Sequence, residues 1–182
     1  MFAPINHPAM KKVAPIRRAL GVRTIFNILG PMTNAANAAH CVIGVFEENL
    51  VELMAKSLIA IGNIDHGVVI HGCGLDEISP LGASTIVEVK NISPKNSRKK
   101  YSIKKYKFDP LTVGIKRCKI TDLKGGDAEE NAKQLRAVLE GKQYDTFIFV
   151  VFSFRVLFCL SVYVNMTASC FLFISFDRGK LY

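Results

Sequence analysis

An α/β fold is predicted for this 182-residue chain by three adjacent stretches. Cys41-Val42-Ile43-Gly44-Val45-Phe46 is short, β-branched and nearly uninterrupted in its apolar character, which suits a strand covered on both faces. Glu47 to Gly62 then carries Leu50, Leu53, Met54, Ser57, Leu58 and Ile61 at spacings of three and four, the inward face of an amphipathic helix. Gly67-Val68-Val69-Ile70-His71 repeats the strand composition. Strand, helix and strand in that order make a parallel pair with helices on the sheet.

Ahead of this unit, Pro8 and Pro15 suit first positions of helices and Gly21 suits the residue just past a helix end, so two short helical turns are expected. If the second continues the first, Met10, Val13 and Leu20 share one face. Arg17 falls on that face, with Arg18 turned roughly 100° away. A guanidinium against an apolar face is costly unless a carboxylate or phosphate fills its fork. Arg23 to Leu29 is an apolar run ended by Gly30-Pro31, and burial is its expected fate.

Beyond the second strand, the loop from Gly72 to Pro80 leaves the carboxyl end of a parallel pair, where ligands of open α/β sheets collect. Asp76 and Glu77 are adjacent there. On a strand they would face opposite ways, but in a Gly-flanked loop both can turn to a metal ion; the plain alternative is a solvated loop. Cys73 beside them reads as a bystander thiol. Ser84 to Lys90 is a further strand, and Asn91 to Tyr106 a hairpin-like excursion with Asn, Ser and Pro turn signals. Lys95, Arg98, Lys99, Lys100, Lys104, Lys105 and Lys107 hold much of the positive excess. They read better as a solvated basic edge that blocks unwanted strand pairing than as a nucleic-acid patch. Asp122 to Gly126 is expected as a loop and Asp127 to Leu139 as a helix, with Asp127 as N-cap and Glu129 and Glu130 favouring the dipole. The Gly125-Gly126 pair resembles a phosphate loop, yet serves chain geometry more simply.

The formal net charge of +9 and pI near 9.4 suit a phosphate-bearing partner without choosing between nucleic acid and a phosphorylated substrate. Five scattered cysteines with no CxxC pair indicate neither a disulfide framework nor a zinc site, and a reducing compartment is the simpler assumption. From about Lys142 the character changes, since eight of the twelve Phe lie between Phe147 and Phe176. Val156 to Phe176 is uncharged and long enough in principle to span a bilayer, with Arg178 and Lys180 as flanking basics. Ser161, Asn165, Thr167 and Ser169 weaken that reading. An uncharged β-prone segment exposed to water is an aggregation hazard.

Three motifs carry a family resemblance: HPAMKKVAPIRRALGVRTIFNILGPMTNAAN from His7, Gly74-Leu75-Asp76-Glu77-Ile78-Ser79-Pro80, and Asp122-Leu123-Lys124-Gly125-Gly126-Asp127-Ala128-Glu129-Glu130-Asn131-Ala132. Their order and spacing resemble the anthranilate phosphoribosyltransferase family from Phe2 to about Gly141. The resemblance implies part of the large α/β domain of that nucleoside-phosphorylase-like fold, a mostly parallel sheet flanked by helices, in residues 1–141. Residues 142–182 then form an out-of-family hydrophobic tail. It implies transfer of a phosphoribosyl group from phosphoribosyl pyrophosphate to anthranilate in tryptophan biosynthesis, with Mg2+ as cofactor. By the same resemblance Asp76 and Glu77 bind magnesium, Arg17 holds the anthranilate carboxylate, and Pro4 and His7 line the acceptor's entry; no catalytic acid or base is assigned.

The family's glycine-rich donor loop, its Lys-His-Gly-Asn segment and the small helical domain through which it dimerises would all precede Phe2. On that reading the chain is truncated and has negligible turnover by itself. The rival expectations are a non-catalytic basic nucleic-acid-binding protein of the same fold and a membrane-tethered fragment. The compartment expected is bacterial cytoplasm, or plastid stroma in a plant.

Overall fold

The computed structural model describes residues 12–13, 15–16, 19–22, 25–33, 37–94, 97–140 and 171–174. The chain divides into two compact units, Met1–Asn37 and Ala38–Tyr182. In the first, the backbone is helical at residues 12–13, 15–16 and 19–20, and Gly21 follows with φ +61°, as expected just past a helix end. Pro4, His7, Pro8, Met10, Arg17 and Arg18 lie outside the described residues. Helix α1 (Phe26–Leu29) runs straight into a 3-10 turn, Gly30–Thr33, whose Thr33 hydroxyl donates to the carbonyls of Leu29 and Gly30. Of the Arg23 to Leu29 run, expected to be buried, Ile25 is 63% exposed and Ile28 and Leu29 are half-buried, while the side chains at 23, 24, 26 and 27 lie outside the described residues. One helical turn points its side chains in several directions, so a continuous apolar run cannot hide on a single face.

The second unit holds β1 (His40–Gly44), α2 (Asn49–Ile61), β2 (His66–His71), β3 (Ser84–Asn91), β4 (Tyr101–Phe108), α3 (Ala128–Leu139) and β5 (Phe171–Ile174). The strands form one sheet in the spatial order β4-β3-β2-β1-β5. As the strand-helix-strand alternation predicts, β1 and β2 are parallel, with Val42 opposite Val68 and Gly44 opposite Ile70. β5 is parallel to β1, whereas β3 is antiparallel to both β2 and β4, so the sheet is mixed. The reason lies in the connections. A parallel return needs a crossover, usually helical, and residues 72–83 contain no helix.

Helix α2 buries Val51, Met54, Ala55 and Leu58, the i, i+3, i+4, i+7 set. The expected inward face is therefore rotated: Leu53 is 54% and Ile61 45% exposed. Small and β-branched residues at 51 and 55 let the helix approach the sheet closely, and Gly67 helps, since a Cβ there would stand 3.0 Å from Leu58 Cδ1. Gly62, at φ +79°, ends the helix with its N–H on the Leu58 carbonyl. On the other face of the sheet Val42, Val68, Ile70, Ile86 and Ile78 form a core against which Tyr106 and Phe108 pack.

β4 is an edge strand, largely exposed and lysine-rich. Lys105 pairs with Glu52 at 2.7 Å and the Lys104 ammonium sits 5.5 Å from the Tyr106 ring centre. Downstream, the loop expected at 122–126 begins instead as a 3-10 turn, Ile120–Leu123, because the Asp122 carboxylate folds back to accept the Lys119 N–H at 2.8 Å. Asp127 caps α3 as expected, its Oδ1 accepting from the N–H groups of Glu129 and Glu130 at 3.0 and 2.9 Å. Of the Phe-rich tail only residues 171–174 are described, and they form β5 of the sheet; the rest of Val156 to Phe176, and with it the expectation of a membrane span, lies outside the described residues. Among the described residues no helix is long and apolar enough to cross a membrane. Cys41, Cys73 and Cys118 are free thiols, and burial pushes the Cys41 thiol up to about 12.

Candidate functional site

The chain leaves β2 through a tight reversal in which Gly72 N–H donates to Leu75 O at 2.9 Å and Leu75 N–H to Gly72 O at 3.1 Å. Its two central residues, Cys73 and Gly74, have φ +54° and +83°. A turn of this type needs positive φ at both places, which glycine adopts freely and cysteine only at a cost. The Cys73 thiol lies 3.6 Å from the Ala83 carbonyl, and a Cβ on Gly82 would come within 2.4 Å of its sulfur. That packing gives Cys73 a structural task.

Past the turn the loop folds down onto the strand ends. A Cβ on Gly44, the last residue of β1, would lie 1.5 Å from the Asp76 carbonyl oxygen, and one on Gly72 would lie 2.1 Å from that of Glu77. Only glycine allows such an approach of backbone to backbone. Ile78 inserts into the core, and the fully buried Ser79 and Ser84 tie the loop to β3: Ser84 Oγ accepts the Ser79 N–H at 3.3 Å and Ser79 Oγ the Leu81 N–H at 3.0 Å. His71, at the end of β2, touches both sides, with Nδ1 2.9 Å from Val45 O and Nε2 accepting the Gly74 N–H at 3.2 Å.

Asp76 is consequently 7% exposed, while Glu77 beside it is half-buried. A carboxylate this far out of water has to be matched by donors or by a cation. Of the predicted site residues, the described part of the chain contains this pair alone, at the carboxyl ends of β1 and β2. Among the described residues no group of three or more His, Cys, Asp or Glu side chains gathers into a metal cage. Two adjacent hard-oxygen donors suit magnesium, which keeps several waters and takes further ligands from substrate phosphates. Nearby, Thr85 Oγ1 donates to Glu48 at 2.7 Å and holds that exposed carboxyl below its usual range.

The Gly125-Gly126 pair serves its own helix. Gly126 N–H donates to Asn131 Oδ1 at 3.0 Å and Asn131 Nδ2 donates back to Gly126 O at 2.9 Å. Sequence reasoning passed over Gly44, His71 and the two serines. A glycine inside a β-branched run is itself a signal of close backbone approach; nothing local marks the serines.

The chain is similar to known proteins along most of its length. Residues 1–170 match the glycosyl transferase family, a/b domain. The chain is 43% identical over 143 residues to an anthranilate phosphoribosyltransferase of Methanosarcina mazei, covering 79% of this chain and 36% of that protein. It is 39% identical over 179 residues to one of Chlorobium phaeobacteroides, covering 93% and 47%. The crystal structure of anthranilate phosphoribosyltransferase from Thermus thermophilus superposes with a TM-score of 0.64 at 42% identity, covering 79% of this chain and 39% of that one. The chain thus spans between about a third and a half of the length of these relatives.

Proposed function

Because the chain belongs to the glycosyl transferase family, through the a/b domain that residues 1–170 match, we propose that it carries the acceptor-binding and cation-binding portion of an anthranilate phosphoribosyltransferase. The observation that carries this reading is the buried Asp76, held with Glu77 at the ends of the parallel strands by a loop resting on Gly44. In the reaction the bond from ribose C1 to pyrophosphate breaks, the anthranilate nitrogen bonds to C1, and that nitrogen gives up a proton. Magnesium, when bound, supplies positive charge to the departing pyrophosphate. Asp76 and Glu77 would hold it. Arg17 grips the anthranilate carboxylate and so aims the amine, and Pro4 and His7 line the acceptor's approach.

Two titrations test the halves of this reading. Anthranilate is fluorescent, and its saturable binding to the chain is expected to weaken about tenfold or more in Arg17→Ala, the loss of one charge-assisted contact. Mn2+, standing in for magnesium, is expected to bind the wild-type chain and not Asp76→Asn. Absence of saturable binding of both probes to the wild type overturns the proposal. On the same reading the partners are the two small substrates, and the compartment is the cytoplasm, or the plastid stroma in a plant. We separate residues 142–182 from 1–141 on composition; a 1–141 chain that still unfolds cooperatively, at a lower midpoint for want of the β5–β1 pairing, is the result expected if that division holds, and a 1–141 chain that does not fold overturns it.

A further inference from the structure

From the two bonds on its ring, we infer that His71 is the positioning residue of the acidic loop, a neutral strut carrying its proton on Nδ1. The inference rests on the reading of Asp76 and Glu77 as the cation pair. The Gly74 N–H is a donor and points at Nε2 from 3.2 Å, so Nε2 presents its lone pair. The proton therefore sits on Nδ1, where Val45 O accepts it at 2.9 Å. Val45 is held from the other side as well, its N–H donating to Ile70 O at 2.9 Å. The ring thus braces a fixed point just past β1 against the second central residue of the Gly72–Leu75 turn.

That turn needs bracing. Cys73 holds φ +54°, a conformation that favours reopening, and the direction in which Asp76 and Glu77 leave Leu75 is set by the turn's closure. Asp76 itself is pressed against Gly44, one residue from Val45, so the strut and the carboxylate share one short stretch of chain as their base. A carboxylate pair displaced by an ångström loses its common aim. Supporting contacts outside the ligand set commonly govern metal affinity by about 10- to 100-fold.

The test uses the 182-residue chain. Long-range 1H–15N correlation of the imidazole is expected to show His71 Nδ1 protonated and Nε2 bare; a protonated Nε2 in the folded chain overturns the inference. His71→Asn keeps a donor near the Nδ1 position and loses the acceptor for Gly74, whereas His71→Gln keeps an acceptor near Nε2 and loses the bond to Val45. Both are expected to weaken Mn2+ binding by about tenfold while remaining folded well above the titration temperature, and His71→Leu by more. Wild-type affinity in all three variants overturns the positioning role and leaves the cation reading standing. A wild-type chain that does not bind Mn2+ overturns the cation reading and the positioning role together. Asp76→Asn, expected to abolish Mn2+ binding with the His71 tautomer unchanged, separates loss of the ligand from loss of its support.

Discussion

Residues 72–84 and 124–131 both set glycines beside acids: Gly74 ahead of Asp76 and Glu77 in the first, Gly125-Gly126 ahead of Asp127, Glu129 and Glu130 in the second. In the first the backbone lies against Gly44 and Gly72, Ile78 is in the core, and Asp76 is 7% exposed. In the second every acid is exposed and the close neighbours are side-chain ends of the same helix. The acids of the second loop cap and charge a helix terminus. In the first, Asp76 is withdrawn from water at the ends of the parallel strands β1 and β2, where a divalent cation would feel it strongly. Similar composition, then, acquires different chemistry through what lies underneath.

The sharpest way to break this comparison is Gly44→Ala. Its methyl meets the Asp76 carbonyl at 1.5 Å, backbone against backbone, so a loss of about 3 kcal/mol or more is expected, read as a lower urea midpoint. Asp127→Ala in the second loop removes two cap bonds and is expected to cost about 1 kcal/mol in the same measurement. Gly126→Ala also meets an atom at short range, Glu130 Oε2 at 1.8 Å, but that carboxylate can swing away. Its expected cost is within about 0.5 kcal/mol. A Gly126 variant as damaging as the Gly44 variant would erase the distinction between the loops.

The smallest effect is in pH. The hydrogen bond from Thr85 depresses the Glu48 carboxyl, helped by the charges of Lys107 and Lys105, against a lesser opposing effect of desolvation. A folded pKa below the unfolded one adds stability above the unfolded value and loses it as pH falls through the folded value, a window below about pH 4.3. Thr85→Val is expected to move the Glu48 carboxyl titration upward, followed by carbonyl NMR. An unmoved titration would show that the bond contributes nothing in solution.

Much of this was legible along the chain. The β-branched runs at 41–46 and 67–71 could only be buried strands, the helix between them forced a parallel pair, and Asp127 before two glutamates announced an N-terminus. Each is local chemistry: periodicity, capping and the short menu of backbone conformations. Which face of α2 turned inward was not readable, because apolar residues occupy both candidate faces and only contact with Gly67 and the strands chooses 51, 54, 55 and 58. The antiparallel return of β3 is signalled by the helix-free connection at 72–83 and not by the strands, whose composition carries no direction.

By itself, then, the amino-acid order determined the α/β class, the strand-helix-strand unit and the place of the acidic pair just beyond a strand. Only the tertiary structure decided that Asp76 is buried while its neighbour stays half in water, that Gly44 is the floor beneath it, and that His71 spans from Val45 to Gly74. The physical reason is range. Propensity and capping act over a few residues, whereas burial and close approach arise between segments that the chain keeps some thirty positions apart.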